Sequence, residues 1–332
     1  MPVLRRLTAG LDREGATAGK QLVENGRGTG TTMGLAAGMS RTKVEQSGWP
    51  GQRQAAGSSG LLTTCANSGC SSGWLHLLRS RSTPVFEGGW SCSPACTEAR
   101  VGAALRREMG GRRSEVSAHR HRVPLGLVML EQGWIRPEQL RKALDAQRAA
   151  GSGRLGTWLV EQMGVREQLV TRALSMQWGC PVLSLEYHDA QAMSPVVPRF
   201  FVDAFAGLPL RVAAGRILYL GFEDRLDPVL AFAVERMTGL TVEAGLVAGS
   251  RFRLAHERLL QVTFPRVEVV EAVSEPALVR VLSARIERMK PVEARLVRVH
   301  DCLWLRMWRK PQQGPVAGLA EVEDLVALLE AN

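Results

Sequence analysis

The amino-acid sequence predicts an α+β multidomain protein in which tandem helical hairpins are followed by a small α/β half. Three observations support this fold class. Apolar residues recur at helical spacing in two copies offset by 30 residues, short β-rich runs follow Cys180, and four cysteines lie upstream of the repeat. The upstream part is therefore predicted to hold a cysteine-rich, zinc-binding-like module, preceded by a disordered N-terminus.

Residues 1–60 are rich in Gly, Ser, Thr and Gln without sustained apolar periodicity, which predicts the disordered N-terminal segment. Residues 111–123 carry several arginines and form a predicted basic linker. The net charge of +10 is concentrated in residues 1–123, which hold 17 Lys and Arg against 8 Asp and Glu. Residues 124–332 hold 25 Lys and Arg against 24 Asp and Glu. Nucleic-acid binding by the larger, neutral part is therefore not expected.

Four cysteines within residues 61–110 predict a zinc-binding-like module with four cysteine ligands. Cys65 and Cys70 are separated by four residues and Cys92 and Cys96 by three, within the range of structural zinc sites. The second pair opens a predicted helix, whose free amides and dipole favour thiolates. Four thiolates would close a tetrahedral site, so we expect structural zinc, with four unligated thiols as the alternative.

The repeat begins at residue 124, and each copy predicts a short helix, a glycine stop and a second helix. Both copies open on a Leu-Gly pair and close on Leu-x-x-Gln, at Leu144 and Gln147 in the first copy and at Leu174 and Gln177 in the second. Leucines at helical spacing are more often core residues than ligand contacts. Helix packing offers no reason for a glutamine at the same place in both copies, which favours a binding role for these amides.

The pattern of Leu-Gly, then Gly, then Leu-x-x-x-Leu-x-x-Gln, occurring twice before an α/β half, resembles the MshEN domain, the N-terminal domain of type II secretion system protein E. The resemblance covers residues 124–262, with tandem helical repeats at 124–180 and the α/β half at 181–262. It implies that cyclic di-GMP is bound across both copies. The matching positions are Leu125, Gly126, Gly133, Leu140, Leu144, Gln147, Arg154, Leu155, Gly156, Leu159, Val170, Leu174 and Gln177.

Two positions depart from the family pattern: Pro124 stands where the first motif begins with arginine, and Met163 replaces the second glycine. Residues 151–156 also match the dinucleotide-binding fingerprint, but a predicted helix precedes them where that fingerprint requires a strand. What remains there is Arg154 beside flexible glycines, a place where a phosphate could bind.

The sequence holds no Gly-x-x-x-x-Gly-Lys-Ser/Thr loop, so we expect neither the ATPase domain of the secretion ATPases nor any other enzyme activity. No apolar stretch approaches the roughly 20 residues that span a bilayer, and no apolar leader follows Met1. These observations predict a cytoplasmic protein without a membrane span.

After Cys180 the pattern predicts alternating strands and helices. Predicted strands cover residues 181–185, 208–212, 216–222, 241–247, 267–272 and 294–308. Predicted helices cover residues 228–238, 251–260, 275–289 and 322–330. The last of these elements belong to a small C-terminal α/β unit, predicted at residues 263–332.

Together these features favour a non-catalytic regulator that senses cyclic di-GMP and transmits its occupancy to secretion, type IV pilus or motility machinery. The first alternative is a protein-interaction adaptor of secretion machinery that binds no nucleotide. The second is a zinc-dependent nucleic-acid-binding protein that uses the basic N-terminal third and the cysteine module.

Overall fold

The structure, a computed structural model, describes residues 64–71, 83–110, 122–272 and 274–329. The predicted N-terminal segment and residues 111–121 of the predicted linker lie outside the described residues. The described part combines helices with β-sheets, which confirms the α+β class, and the cysteine cluster precedes them near the N-terminal end of the described chain.

The described helices are numbered in chain order: α1 (Pro94–Gly110), α2 (Leu125–Glu131), α3 (Pro137–Ala150), α4 (Leu155–Glu161), α5 (Glu167–Trp178), α6 (Ala190–Met193), α7 (Arg199–Phe205), α8 (Pro228–Thr238), α9 (Gly249–Gln261) and α10 (Glu275–Met289). The described strands are β1 (Val85–Phe86), β2 (Gly89–Trp90), β3 (Leu208–Ala213), β4 (Ile217–Phe222), β5 (Thr241–Leu246), β6 (Arg266–Ala272), β7 (Glu293–Val299), β8 (Cys302–Trp308) and β9 (Val322–Leu329).

Helices α2 to α5 contain the repeat, and they pair mainly across the two copies. Helix α2 packs mostly against α5, and α3 against α4. Glycines in the left-handed conformation end the second helix of each copy, at Gly151 (φ 65°) and Gly179 (φ 61°), where most side chains would be strained. Met129 and Leu159 occupy equivalent places in the two copies, and both are fully buried in the core between the helices.

The α/β half contains a three-stranded sheet of order β3-β4-β5, in which β3 and β4 are antiparallel and β4 and β5 parallel. The predicted strand at residues 181–185 is wrong, because only an isolated bridge joins Val182 to Leu246 of β5. Pro181 has no amide hydrogen to donate, and Tyr187 bends the chain with a φ of 64°. The segment is therefore too short to extend the sheet.

The C-terminal sheet has the order β6-β9-β8-β7, with β6 parallel to β9 and the other pairs antiparallel. The predicted helix at residues 322–330 is wrong, because this segment forms strand β9. Arg306 of β8 binds both carboxylate oxygens of Asp324 in β9, at 2.7 and 2.8 Å, and both side chains are buried. An aspartate within an apolar run is typical of a position that faces solvent. Asp324 therefore gives a strand that is buried on both faces the apparent period of a helix.

Both faces of the C-terminal sheet are covered. One face shares a hydrophobic core with the α/β half, to which the sheet contributes Trp304 and Val326. The other face packs against α1 and α10, and Val101 and Leu105 of α1 are fully buried there. The helix that begins at the cysteines therefore shares its core with the C-terminal strands.

Glu108, near the end of α1, connects that helix to the α/β half. Its carboxylate accepts hydrogen bonds from both terminal nitrogens of Arg236 on α8, at 3.0 and 3.1 Å, and from the amide of Arg298 on β7 at 3.1 Å. The Glu108 side chain is only 7% exposed. Charge-assisted hydrogen bonds of this kind compensate for the loss of water around a buried carboxylate.

Candidate functional site

The four cysteines predicted as metal ligands meet in one cluster. Cys65 and Cys70 flank a turn, Cys92 follows β2, and Cys96 lies in the first turn of α1. Their sulfur atoms all lie within 4.8 Å of one another, with Cys92 Sγ 3.5 Å from Cys70 Sγ and 3.6 Å from Cys96 Sγ. Within the described residues, no other group of His, Cys, Asp or Glu side chains offers comparable metal-binding geometry.

The positions of these sulfurs fit a tetrahedral metal. Zinc–thiolate bonds of about 2.3 Å place the four sulfurs of such a site about 3.8 Å apart. Cys92 and Cys96 are buried, and Cys65 and Cys70 are half-buried. The donor set therefore fits a closed, structural centre rather than a catalytic one, because four thiolates leave no coordination position for a substrate.

Asn67 supports the sulfur cluster, and it is not among the residues that the cysteine spacing predicts. Its Nδ2 donates to Cys96 Sγ at 3.3 Å, and its Oδ1 accepts from the amide of Gly69 at 3.2 Å. The amide of Cys92 donates to Cys65 Sγ at 3.5 Å. Hydrogen bonds to the sulfurs orient metal ligands. The Asn-x-Gly pattern between two cysteines is a turn signal that could have pointed to this residue.

Arg100 of α1 fixes the β1–β2 hairpin beside the cluster. Its two terminal nitrogens donate to the carbonyl oxygens of Phe86 and Gly89, at 2.5 Å each. Burial lowers the pKa of Arg100, and the negative charges of Glu87 and Cys65 oppose that shift. The guanidinium therefore places positive charge near thiolates that would carry excess negative charge around a divalent metal.

The Leu-Gly pairs of the repeat allow close contact between helices. A Cβ atom on Gly126 would lie 2.6 Å from Leu140 Cδ1, and one on Gly156 would lie 2.8 Å from Val170 Cγ1. These are equivalent pairs in the two copies, so both glycines have the same packing role. The same hypothetical Cβ on Gly156 lies 3.7 Å from Leu125 Cδ2. The openings of the two motifs are therefore next to each other.

The two glutamines have equivalent partners, exchanged between the copies. Gln147 Nε2 donates to the carbonyl oxygen of Gly153, which precedes the first helix of the second copy, at 2.7 Å. Gln177 Nε2 donates to the carbonyl oxygen of Val123, which precedes the first helix of the first copy, also at 2.7 Å. The expectation that helix packing gives no reason for these amides is therefore wrong, because each amide donates a hydrogen bond to the backbone at the start of the other copy.

The remaining predicted positions differ in exposure. Gly133 lies in the turn between α2 and α3 with a φ of 66°. Among the described residues, no atom lies within 4 Å of its hypothetical Cβ, so Gly133 serves the backbone conformation of the turn. Leu159 and Val170 are buried in the core of the four helices. The half-buried positions are Leu125, Leu140, Leu144, Leu155 and Leu174.

Arg154 lies at the start of α4, and its side chain is 65% exposed. Its guanidinium forms ion pairs with Asp224 at 2.7 Å and with Glu223 at 3.5 Å, both from the loop that follows β4. Burial raises the pKa of Asp224, and the charges of Arg154 and Arg225 oppose that rise. The acidic pair that follows a buried strand was not identified from the sequence, since only the tertiary structure brings it to Arg154.

In the part of the chain that the structure describes, none of the helices has the length and apolar character needed to cross a bilayer.

No family model matches the chain. The type IV pilus assembly ATPase PilB of Myxococcus xanthus (strain DK1622) is 28% identical to it over 148 residues, which cover 43% of this chain and 25% of PilB. The chain therefore spans about a quarter of the length of the curated relative that it matches.

Two solved structures are similar to the chain. The structure of MshE with cdg, which is cyclic di-GMP, shares 23% identity and a TM-score of 0.34, covering 42% of this chain and 99% of that one. The N-terminal domain of XpsE shares 21% identity and a TM-score of 0.30, covering 40% of this chain and 92% of that one. The similarity to PilB agrees with the resemblance to secretion and pilus assembly ATPases that the repeat predicts.

Proposed function

We propose that residues 124–262 are a cyclic di-GMP-binding regulatory domain of type II secretion or type IV pilus machinery, and that the chain acts without catalysing a reaction. Two similarities support this proposal: MshE was solved with cdg, and PilB is a type IV pilus assembly ATPase. The tandem helical repeat at 124–180 would bind the ligand, and the α/β half at 181–262 would respond to it.

The observation that carries the proposal is the adjacency of the two motif openings. A Cβ atom placed on Gly156 of the second copy would lie 3.7 Å from Leu125 Cδ2 of the first, and Arg154 lies two residues before that glycine. A dinucleotide with two phosphates needs a cation for its charge and apolar surface for its bases. Half-buried leucines beside an exposed arginine provide both kinds of group.

The ion pairs of Arg154 provide a route from binding to response. A ligand phosphate would compete with Asp224 and Glu223 for the guanidinium, and these two carboxylates belong to the α/β half. Binding would therefore weaken a contact between the repeat and the α/β half. A ligand shifts a conformational equilibrium only when it favours one arrangement, and this exchange of partners supplies such a difference.

Calorimetric titration of the full chain with cyclic di-GMP tests the proposal. We expect saturable binding, weakened at least about tenfold by Arg154→Gln through loss of a charge-assisted contact. Arg166→Gln is the matched control, because Arg166 is also exposed at the start of a repeat helix but lies outside the motif. An absence of heat at high micromolar ligand would eliminate the sensor function.

Asp224→Asn tests the coupling route. Removing this carboxylate leaves Arg154 with only the longer ion pair to Glu223 and removes negative charge near the ligand, so we expect binding several times tighter than in the parent. Equal or weaker affinity in the same titration would show that Asp224 does not compete with the ligand.

A protein-interaction adaptor that binds no nucleotide is the alternative, and Pro124 favours it. Proline replaces the arginine expected at the first motif, and a charge-assisted contact contributes about 1.5–3 kcal/mol. If the Pro124→Arg variant binds cyclic di-GMP and the parent does not, the domain has kept the family architecture without the ability to bind the ligand. If the parent also binds, the variant should bind about ten- to a hundredfold more tightly.

We further propose that Cys65, Cys70, Cys92 and Cys96 hold a structural zinc ion. Elemental analysis of the purified full chain should find about one zinc per chain, and Cys92→Ser should lose it together with thermal stability. Cys180→Ser is the control, since Cys180 lies far from the cluster in sequence and is half-buried against another core. A parent chain free of zinc after purification in zinc-supplemented, chelator-free buffer would contradict the assignment.

A further inference from the structure

A group of arginines surrounds a cavity of about 200 Å³ beside β6, the edge strand of the C-terminal sheet. The cavity lies far in sequence from the repeat and has no role in the proposed nucleotide site. Its walls come from β6, α10, the end of β8 and β9. The lining residues are Arg266, Arg285, Arg288, Met289, Arg309 and Glu323.

Glu323 organises one side of this cavity. Its side chain is 8% exposed, and it forms ion pairs with Arg285 at 2.9 Å and with Arg309. Burial alone would raise the pKa of Glu323, but the hydrogen bond from Arg309 and the charges of Arg309, Arg285 and Arg266 lower it. The carboxylate therefore stays ionised and holds two guanidinium groups at the cavity wall.

The positive charge of the cavity is only partly neutralised. Among the described carboxylates, only Glu268 besides Glu323 pairs with a lining arginine, at 3.4 Å from Arg285. Arg266 and Arg288 are exposed, and no described carboxylate lies within 4.0 Å of either guanidinium. Like charges gathered without counter-ions repel one another, so this wall would be stabilised by an anion.

Arg285 also has an unused donor. Its Nε atom is buried and has no hydrogen-bond partner among the described residues. Buried donors in native proteins almost always have an acceptor, and this unmatched one belongs to a residue that lines the cavity.

We propose that this cavity binds a phosphate group, carried by free inorganic phosphate or by a small phosphomonoester. A carboxylate can accept the two parallel hydrogen bonds of one guanidinium group. A tetrahedral phosphate dianion has enough acceptor oxygens for several arginines. A volume of about 200 Å³ suits a small ligand and is below the range of about 300–1,000 Å³ typical of larger ligands. Cyclic di-GMP is therefore not the expected occupant.

Calorimetry of the full chain with inorganic phosphate and with glycerol 3-phosphate, at constant ionic strength, tests this site. We expect saturable binding of at least one probe, weakened at least about tenfold in Arg266→Gln/Arg288→Gln. Equal affinity for both probes identifies the phosphate group alone as the ligand, and tighter binding of the ester identifies a phosphomonoester. Arg154→Gln should leave both titrations unchanged, which separates this site from the proposed nucleotide site.

Arg251→Gln/Arg280→Gln is the matched control, because it removes the same charge from two exposed arginines outside the cavity, one of them on α10 itself. Without phosphate, the cavity variant should melt no lower than the parent, since it relieves repulsion. The proposal fails if neither probe binds the parent at millimolar concentration, or if the control pair weakens binding as much as the cavity pair.

Discussion

Gly126 and Gly156 are equivalent in the repeat, yet their neighbours differ in how easily they can move. A Cβ on Gly126 would meet the end of a leucine side chain, which can turn away, whereas a Cβ on Gly156 would meet the γ-methyl of Val170. Valine has little rotational freedom in a helix, so it cannot yield in the same way. The same substitution should therefore have unequal effects in the two copies.

We expect Gly156→Ala to lower the free energy of unfolding by up to about 2 kcal/mol, because an overpacking cost of about 1–3 kcal/mol exceeds the roughly 1 kcal/mol gained in helix propensity. Gly126→Ala should cost clearly less. Urea denaturation measures both, with Gly110→Ala as the control, because none of the described atoms lies within 4 Å of the hypothetical Cβ on Gly110. Equal losses at both positions would contradict this account of the packing.

Asp227 should make stability depend on pH. It caps α8, and its Oδ2 lies 2.6 Å from His300 Nε2. Burial would raise the pKa of Asp227, but hydrogen bonds from His300 and from the amides of Leu230 and Val229 lower it below the ordinary 3.8. A lowered pKa in the folded state means that this stabilisation is complete above the unfolded pKa and is lost as the pH falls through the folded pKa.

Asp227→Asn keeps a capping side chain but removes the charge, so we expect a loss of about 1 kcal/mol at neutral pH. The difference from the parent should shrink as the pH falls below the ordinary pKa of 3.8 and through the lower pKa of the folded state. Denaturation at a series of pH values measures it, and a difference that is constant with pH would show that the carboxylate charge contributes nothing.

The four cysteines could be identified from the sequence because their spacing is local and their chemistry is specific. Asn67 and the acidic pair Glu223 and Asp224 could not, since each gains its role from a partner that only the tertiary structure supplies. The glutamines of the repeat were recognised as unusual, but their partners were not, because those partners lie in the other copy.

At the scale of elements, the predicted helices and strands are correct where apolar residues recur at a clear period. They are wrong where burial on both faces makes nearly every residue of the segment apolar. Helices α8 and α10 have the predicted bounds, because one face of each is apolar. The sequence predicts a helix where strand β9 lies, since a strand covered on both faces loses its alternation and the paired Asp324 interrupts the apolar run. Tertiary burial overrides local propensity in such a strand.

The exchanged glutamines should stabilise the first helix of each copy independently. We expect Gln147→Ala and Gln177→Ala each to lower the free energy of unfolding by about 0.5–1.5 kcal/mol, the range for one hydrogen bond. Their effects should add in the double variant, because the two amides contact different segments. Gln168→Ala, an exposed glutamine on α5, should change stability little in the same urea titrations.

At the scale of the whole molecule, the cysteine region, the C-terminal sheet and the α/β half share cores, although the sequence suggested separate units. The shared cores depend on contacts between residues that are distant in sequence, such as Leu105 with the C-terminal sheet. Local periodicity carries no information about such pairs. The order of elements could therefore be predicted well, and their assembly could not.

Substitution of Glu108 tests how strongly the cysteine region and the α/β half stabilise each other. Glu108→Gln should lower the free energy of unfolding by about 2–3 kcal/mol, because it weakens hydrogen bonds to a charged partner in a buried position. Glu98→Gln, an exposed position on the same helix, should have little effect. If Glu108→Gln matches that control in a single cooperative transition, the contact with Arg236 contributes little to the assembly.

The pairing of helices across the two copies has a consequence for any fragment of the protein. Because α2 packs mostly against α5 and α3 against α4, a peptide containing a single copy could bury these apolar faces only by associating with an identical peptide. The duplicated segment thus corresponds to a covalently joined dimer, and halving it would make its folding depend on concentration.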